Sequence, residues 1–112
     1  MKKIITLSTG ILFSLNAFSQ PTIQWQKSLG GTNLDRPYSI IQTSDGGYIT
    51  AGLSFSINGD ITGHHGTSNF DDVWVVKLNS SGNIQWQKSF GGTEIEEAYS
   101  IIQTTNGGYV VA

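Results

Sequence analysis

Cysteine is absent from this chain of 112 residues, proline occurs only twice, and charged residues make up only 12% of it. Without cysteine the fold has no disulfides and must be held by packing alone. The scarcity of proline excludes a proline-rich disordered linker. Glycine, in contrast, is frequent at 14 residues, and it is accompanied by aromatic and β-branched residues. This composition is typical of short strands joined by tight turns.

Several function classes lack their sequence signatures. There is no Gly-x-Ser-x-Gly elbow, no P-loop and no dinucleotide-binding fingerprint. Basic residues are also few: loss of Lys2 and Lys3 from the six leaves four against eight acidic residues, a net charge of −4. Nucleic acid is therefore not an expected partner, since its phosphates require clusters of Lys and Arg.

The loss of Lys2 and Lys3 is expected because residues 1–19 have the layout of a signal peptide. Residues 1–3 are a short basic start, residues 4–18 are apolar, and Ala17-Phe18-Ser19 places small residues where signal peptidase cuts. A membrane anchor is the alternative reading, but the apolar stretch contains several polar residues and is shorter than the ~20 residues that a span needs. We expect cleavage before Gln20, localisation outside the cell or at its surface, and no membrane span in the mature chain.

A repeat with an offset of 61 residues dominates the remaining sequence. Residues 23–51 and 84–112 are identical at 19 of 29 aligned positions, and most changes are mild, such as Leu29 to Phe90. A tandem repeat of this kind usually marks a structural unit that stacks on its neighbours to bury its faces. We expect one full repeat and about half of a second.

Each repeat is predicted to form four antiparallel strands in a meander. The apolar pattern predicts strands at 23–29, 38–43, 48–53 and 73–78, with their counterparts in the second copy. The last of these is apolar on both faces, as in a strand that is buried on both sides. Asp45-Gly46 and Asn106-Gly107 predict hairpin turns with glycine at positive φ. One long connection covers 54–71, and no stretch has a helical period.

Four antiparallel strands per tandem repeat is the pattern of a β-propeller blade, although an open stack or a β-solenoid would also repeat. The runs Asp45-Gly46-Gly47-Tyr48-Ile49 and Trp74-Val75-Val76-Lys77-Leu78, with Gly82-Asn83-Ile84-Gln85-Trp86, resemble the bacterial seven-bladed β-propeller repeat. They are especially similar to the tandem-repeat proteins that Gram-negative bacteria export, often by type IX secretion. The resemblance implies an all-β fold of propeller blades, of which about one and a half are present here.

In that family a blade would start near Tyr38. The resemblance therefore implies an outer strand of a preceding or closing blade in 20–37, a complete blade in 38–92 and the first half of a second blade in 93–112. It implies no catalytic residues. The positions expected to carry the repeat scaffold are Trp25, Tyr38, Gly46, Gly47, Tyr48, Gly52, Trp74, Trp86, Tyr99, Gly107, Gly108 and Tyr109. Their aromatic rings are expected to pack blade against blade, with a sugar-stacking platform as the alternative.

The long connection holds the weak candidates for chemistry. Asn58, Asp60 and Thr62 alternate as oxygen ligands, like the start of a calcium loop, but position 69 is Asn and an ordinary polar turn is favoured. Adjacent His64 and His65 would point to opposite faces of a strand and chelate zinc or copper poorly.

A group of three glutamates follows the second Gly-Gly turn. Two of the three, Glu94, Glu96 and Glu97, could supply the carboxylate pair that glycoside hydrolysis needs. A solvated loop is the favoured interpretation.

The sequence favours a secreted or cell-surface scaffold, without catalytic activity, that serves ligand binding or adhesion. Its expected partners are further repeats of the same chain and an extracellular glycan or protein, with no cofactor unless calcium binds. The alternatives are a part of a secreted glycan-active, endoglucanase-like hydrolase and a calcium-dependent adhesin. Because propellers host many functions, this expectation comes from the fold rather than from a site.

Overall fold

The computed structural model of the protein describes residues 2–6 and 8–112, and these contain β-strands and no helix. The strands are β1 (Asp35–Gln42), β2 (Tyr48–Ser54), β3 (Asp72–Leu78), β4 (Ile84–Phe90), β5 (Ile101–Gln103) and β6 (Tyr109–Val111). Strands β1 to β4 form one antiparallel sheet in sequence order, and β5 and β6 form a second sheet. The predicted all-β class and the four-stranded meander are confirmed, and the arrangement is that of an incomplete propeller-like repeat.

The two short hairpins use the same turn. Gly46 lies at φ 81° and Gly107 at φ 84°, a region that side chains with a Cβ avoid. In the first turn the N–H of Gly46 donates to the carbonyl of Thr43 at 2.9 Å, and in the second Gly107 donates to Thr104 at 3.0 Å. The turns predicted from the Asp-Gly and Asn-Gly pairs are therefore confirmed.

The two central strands of the four-stranded sheet, β2 and β3, are largely buried on both faces. Face A carries Ile49, Ala51 and Val75, which pack against Ala98 and Ile101 of the second repeat. The strand register places these side chains on one side, because successive residues of a strand alternate between faces. Strand β3 is buried along nearly its whole length, as its apolar sequence predicts.

Face B carries Tyr48, Trp74, Val76 and Leu78, and it is covered in part by the segment 23–29. Trp25 and Leu29 pack against this cluster, as the apolar alternation of the segment suggests. The segment is nevertheless not a strand, and the prediction of a strand at 23–29 is wrong for this structure. Its side chains lie over a sheet face and its backbone meets no sheet edge, so no ladder of hydrogen bonds can form.

Strand β1 begins at Asp35, three residues before the predicted start at Tyr38. A register shift between Pro37 and Ser39 allows the pairing with β2 to continue past the proline, which has no N–H to donate.

The predicted signal peptide has no regular structure in its described part, and Met1 and Leu7 lie outside the described residues. Its apolar side chains are exposed; Leu12, for example, is 96% accessible. Among the described residues, no helix has the length and apolar character needed to cross a bilayer.

Candidate functional site

The connection, residues 55–71, is held in place by its polar side chains. Asn58 Oδ1 accepts a hydrogen bond from the backbone N–H of Thr32 at 2.9 Å, and Asp60 Oδ2 accepts one from Gly30 at 3.0 Å. The hydroxyl of Thr62 accepts a hydrogen bond from a glutamine amide of β4. The three suggested calcium ligands therefore each accept a hydrogen bond, and each from a different donor. Within the described ranges, no three His, Asp or Glu side chains are grouped as a metal site would require.

The two adjacent histidines contact different groups. His65 Nδ1 lies 2.8 Å from Asp72 Oδ2, and the backbone N–H of His65 donates to the same oxygen at 2.8 Å. His64 Nε2 lies 3.2 Å from the carbonyl oxygen of Ser54. The pair thus joins the middle of the connection to the last residue of β2 and the first residue of β3, and the side chain of His65 is about half exposed.

The acidic residues near β3 include three buried oxygens without a hydrogen-bond partner: Asp71 Oδ1, Asp72 Oδ1 and Glu96 Oε2. Burial raises the pKa of Asp71, and the charges of Glu97 and Glu96 add to this effect. The three glutamates suggested for a carboxylate pair have different surroundings. Glu96 lies against Gly91, Glu97 accepts a hydrogen bond from the Tyr99 hydroxyl, and Glu94 is exposed.

A buried lysine was missed by the sequence reasoning. Lys77 is 3% exposed, and its Nζ donates to Asp45 Oδ2 at 3.0 Å, to the carbonyl of Leu78 at 3.0 Å and to Gln85 Oε1 at 2.9 Å. The lysine fastens the β1–β2 turn to β3 and β4. The signal was available, since a lysine inside an apolar strand must find partners when it is buried.

The pKa of Asp45 lies well below its usual range. The largest cause is the hydrogen bond from the Thr43 hydroxyl, followed by the Gly47 N–H and the ammonium of Lys77. Asn106 stands at the same position of the second repeat, where Thr104 donates to it in the same way. The turn therefore keeps its geometry in both repeats, and only the first carries the charge.

Asp35 is a second residue that the sequence reasoning missed. Its carboxylate accepts hydrogen bonds from the backbone N–H of Gly31 at 2.8 Å, from the Ser54 hydroxyl at 2.5 Å and from the Ser56 hydroxyl at 2.9 Å. It thus joins the Gly-Gly turn to the end of β2. The sequence holds a trace of this role, because the matching position of the second repeat is also acidic, Glu96.

The aromatic scaffold positions form contacts that repeat with the sequence. Trp25 and Tyr48 lie edge to face with ring centroids 5.4 Å apart, and Trp86 and Tyr109, each 61 residues later, have centroids 6.1 Å apart. The equivalent residues Tyr38 and Tyr99 contact each other at 4.7 Å. Contacts of this kind add to the burial of each unit against the next.

The other expected scaffold positions lie in turns and at close approaches within the sheet. Gly46, Gly47, Gly107 and Gly108 form the two hairpin turns described above. Gly52 lies opposite the β1 irregularity, and Trp74 on face B donates its indole N–H to Gln87 at 2.8 Å.

These contacts define an all-β protein whose repeated sheets stack face to face. Comparisons of the chain with family models, with curated proteins and with solved structures each found no match. The resemblance to propeller repeats therefore rests on the sequence motifs.

Two substitutions with the same change of charge are expected to shift stability in opposite directions. Asp45→Asn loses a carboxylate whose folded pKa is lowered, so it should destabilise the protein above the unfolded pKa of about 4. The difference from wild type should shrink as pH falls below that value. Asp71→Asn removes a carboxylate whose folded pKa is raised, so it should stabilise the protein at neutral pH.

Urea midpoints measured at pH 7 and pH 3 would test both substitutions. Each variant is the control for the other, because both remove one negative charge. Shifts of the same sign at pH 7 would contradict the assignment of the two environments.

Proposed function

We propose that the chain belongs to an exported scaffold of β-propeller type, without catalytic activity, that binds an extracellular glycan or protein. Further repeats of the same kind are its partners within the assembly. The observation that carries the proposal is the inter-unit contact of Trp25 with Tyr48, which returns as Trp86 with Tyr109 at the repeat offset. A contact that follows the sequence period is what stacked repeat units produce.

The repetition of these aromatic contacts also suggests what the segment 23–29 does. Trp25 contacts Tyr48 of β2, just as Trp86 of β4 contacts Tyr109 of β6 one repeat later. By this correspondence, the segment stands for an outer strand from another unit. Its backbone has no hydrogen bonds to either sheet, and a strand from a further repeat would satisfy these groups. This supports a preceding or closing blade over 20–37.

The connection 55–71 is the best surface for a ligand. Loops fixed on a rigid scaffold carry binding residues more often than the strands do. Asp60 and His65 anchor the middle of this connection, and on either side of the two anchors it exposes Ile57, 58% accessible, and Phe70, 38% accessible. An exposed aromatic ring next to polar groups suits either a sugar ring or a protein side chain.

The binding test uses the protein purified after export, with an array of bacterial and plant polysaccharides and extracellular proteins. Phe70→Ala should weaken binding of the ligand found by about tenfold or more, in the range of a side chain that matters for an interface. Phe90→Ala is the matched control, since Phe90 is 44% exposed on β4, outside the connection.

Equal loss in both variants would contradict the assignment of the binding surface. Release of reducing sugar that disappears in Glu96→Gln or Glu97→Gln would favour the hydrolase instead.

Export is expected to remove residues 1–19. The apolar stretch should direct the precursor to the secretion machinery, so that the mature chain begins at Gln20. Leu12→Arg places a charge in the middle of that stretch and should leave uncleaved precursor inside the cell, whereas Ser8→Ala should not. Mass spectrometry of the N-terminus in a Gram-negative host measures the outcome. An uncleaved wild-type chain in the membrane fraction would indicate an anchor.

A further inference from the structure

Two tyrosines touch each other across the junction between the two repeats. The ring centroids of Tyr38 and Tyr99 are 4.7 Å apart and the ring planes differ by 34°, a separation at which aromatic side chains are in contact. The two residues occupy the same position of the repeat, at the 61-residue offset. The contact is therefore a product of the stacking of one repeat on the next.

The other two of the four tyrosines have different neighbours. Tyr48 lies against Trp25 and Tyr109 against Trp86, and both tyrosines are partly buried. Tyr38, in contrast, is 37% exposed even though its ring contacts Tyr99. Within the part of the chain that the structure describes, one pair of tyrosines is thus in ring contact, and solvent reaches it.

A carboxylate stands ready to take a proton from this pair. The hydroxyl of Tyr99 donates a hydrogen bond to the side chain of Glu97. The same hydrogen bond is the largest cause of the raised pKa of Tyr99, so the phenol keeps its proton at neutral pH. A phenol gives up an electron more easily when a neighbouring base accepts its proton in the same step. The position of Glu97 therefore favours one-electron oxidation of Tyr99.

Cysteine, the usual source of a covalent link between distant segments, is absent from the chain. A bond between two touching tyrosine rings would supply such a link, and thiols would not reduce it. We propose that Tyr38 and Tyr99 form an oxidative cross-linking site, at which a one-electron oxidant generated from hydrogen peroxide joins the two repeats by a dityrosine bond. The proposal requires the contact between the repeats and depends neither on the ligand nor on the route of export.

The reaction balances as an oxidation by two electrons. Each phenol loses one electron to the oxidant and one proton, which passes from Tyr99 to Glu97 and from Tyr38 to water. The two phenoxyl radicals share their unpaired electrons with the ring carbons next to the oxygen, and one such carbon of each ring forms the new carbon–carbon bond. The hydrogen on each of these carbons then moves to the oxygen and restores the phenol. The two electrons and two protons convert one hydrogen peroxide molecule into two of water.

Treatment of the purified full chain with a haem peroxidase and hydrogen peroxide tests the proposal. We expect an intact mass that is lower by two hydrogen atoms and is not doubled, together with the blue fluorescence of dityrosine. Tyr38→Phe and Tyr99→Phe should each lose this product, because phenylalanine forms no phenoxyl radical. Tyr48→Phe and Tyr109→Phe are the matched controls and should retain it. All four substitutions keep the ring, and circular dichroism establishes that the fold is intact.

Two further measurements show whether the folded contact directs the reaction. In concentrated urea the wild-type chain should lose its preference for linking Tyr38 to Tyr99, as measured by mass spectrometry of the linked peptides. At low buffer concentration Glu97→Gln should slow the linking, because an amide does not accept the phenolic proton. Glu94→Gln is the control, since Glu94 is exposed and precedes the junction. The linked chain should also unfold at a higher urea concentration, because a bond between distant residues restricts the unfolded chain.

A folded wild-type chain that forms no link within one molecule would overturn the proposal. Linked peptides that contain Tyr48 or Tyr109 would contradict it equally, and so would a product that persists in Tyr38→Phe. Equal rates in Glu97→Gln and Glu94→Gln would remove the role of Glu97 as the proton acceptor.

Discussion

Gly52→Ala should destabilise the protein by about 3 kcal/mol, at the upper end of what overpacking usually costs. A Cβ on Gly52 would lie 2.0 Å from the carbonyl oxygen of Arg36 and 2.8 Å from Pro37 Cα. Both contacts are with backbone, so no side chain can turn away to make room. The close approach arises where the β1–β2 pairing shifts its register between Pro37 and Ser39.

Gly46→Ala is the matched control for this substitution. Gly46 has a positive φ of 81° but no atom within 4 Å of an added Cβ, so only conformational strain of about 1 kcal/mol is expected. Urea unfolding of the two variants, followed by fluorescence of the three tryptophans, measures the difference. Equal losses would mean that the irregularity in β1 can move away from Gly52.

Ile101→Ala should cost about 2–5 kcal/mol, whereas Ile40→Ala should change stability by less than about 0.5 kcal/mol. The two isoleucines occupy the same position of the repeat, but Ile101 is 1% exposed and Ile40 is 59% exposed. Ile101 also joins the two sheets, since it packs with Ile49 and Val75 of face A.

Hydrogen exchange can localise the effect of Ile101→Ala. A two-stranded sheet is marginal by itself, so the amides of β5 and β6 should lose protection while those of β2 and β3 keep theirs. Similar losses in both variants would contradict the assignment of the internal interface.

The sequence by itself determined the local elements of this protein. Alternation of apolar residues placed β2, β3 and β4 within one or two residues of their observed bounds, and the glycines at 46 and 107 located both hairpin turns. These features depend on φ preferences and on the period of two, which are properties of neighbouring residues along the chain. The 61-residue repeat likewise indicated that units would stack before any contact was known.

Tertiary structure alone decided the rest, because identical segments have different neighbours. Residues 23–28 and 84–89 share one sequence, yet only the second is a strand, since only it has the edge of β3 beside it. Ile40 and Ile101 differ in burial for the same reason. The polar residues of the connection could not be assigned either, because the groups that bind Asn58 and Asp60 lie 26 and 30 residues away. A hydrogen bond between distant segments exists only once the chain has folded, and local sequence carries no record of it.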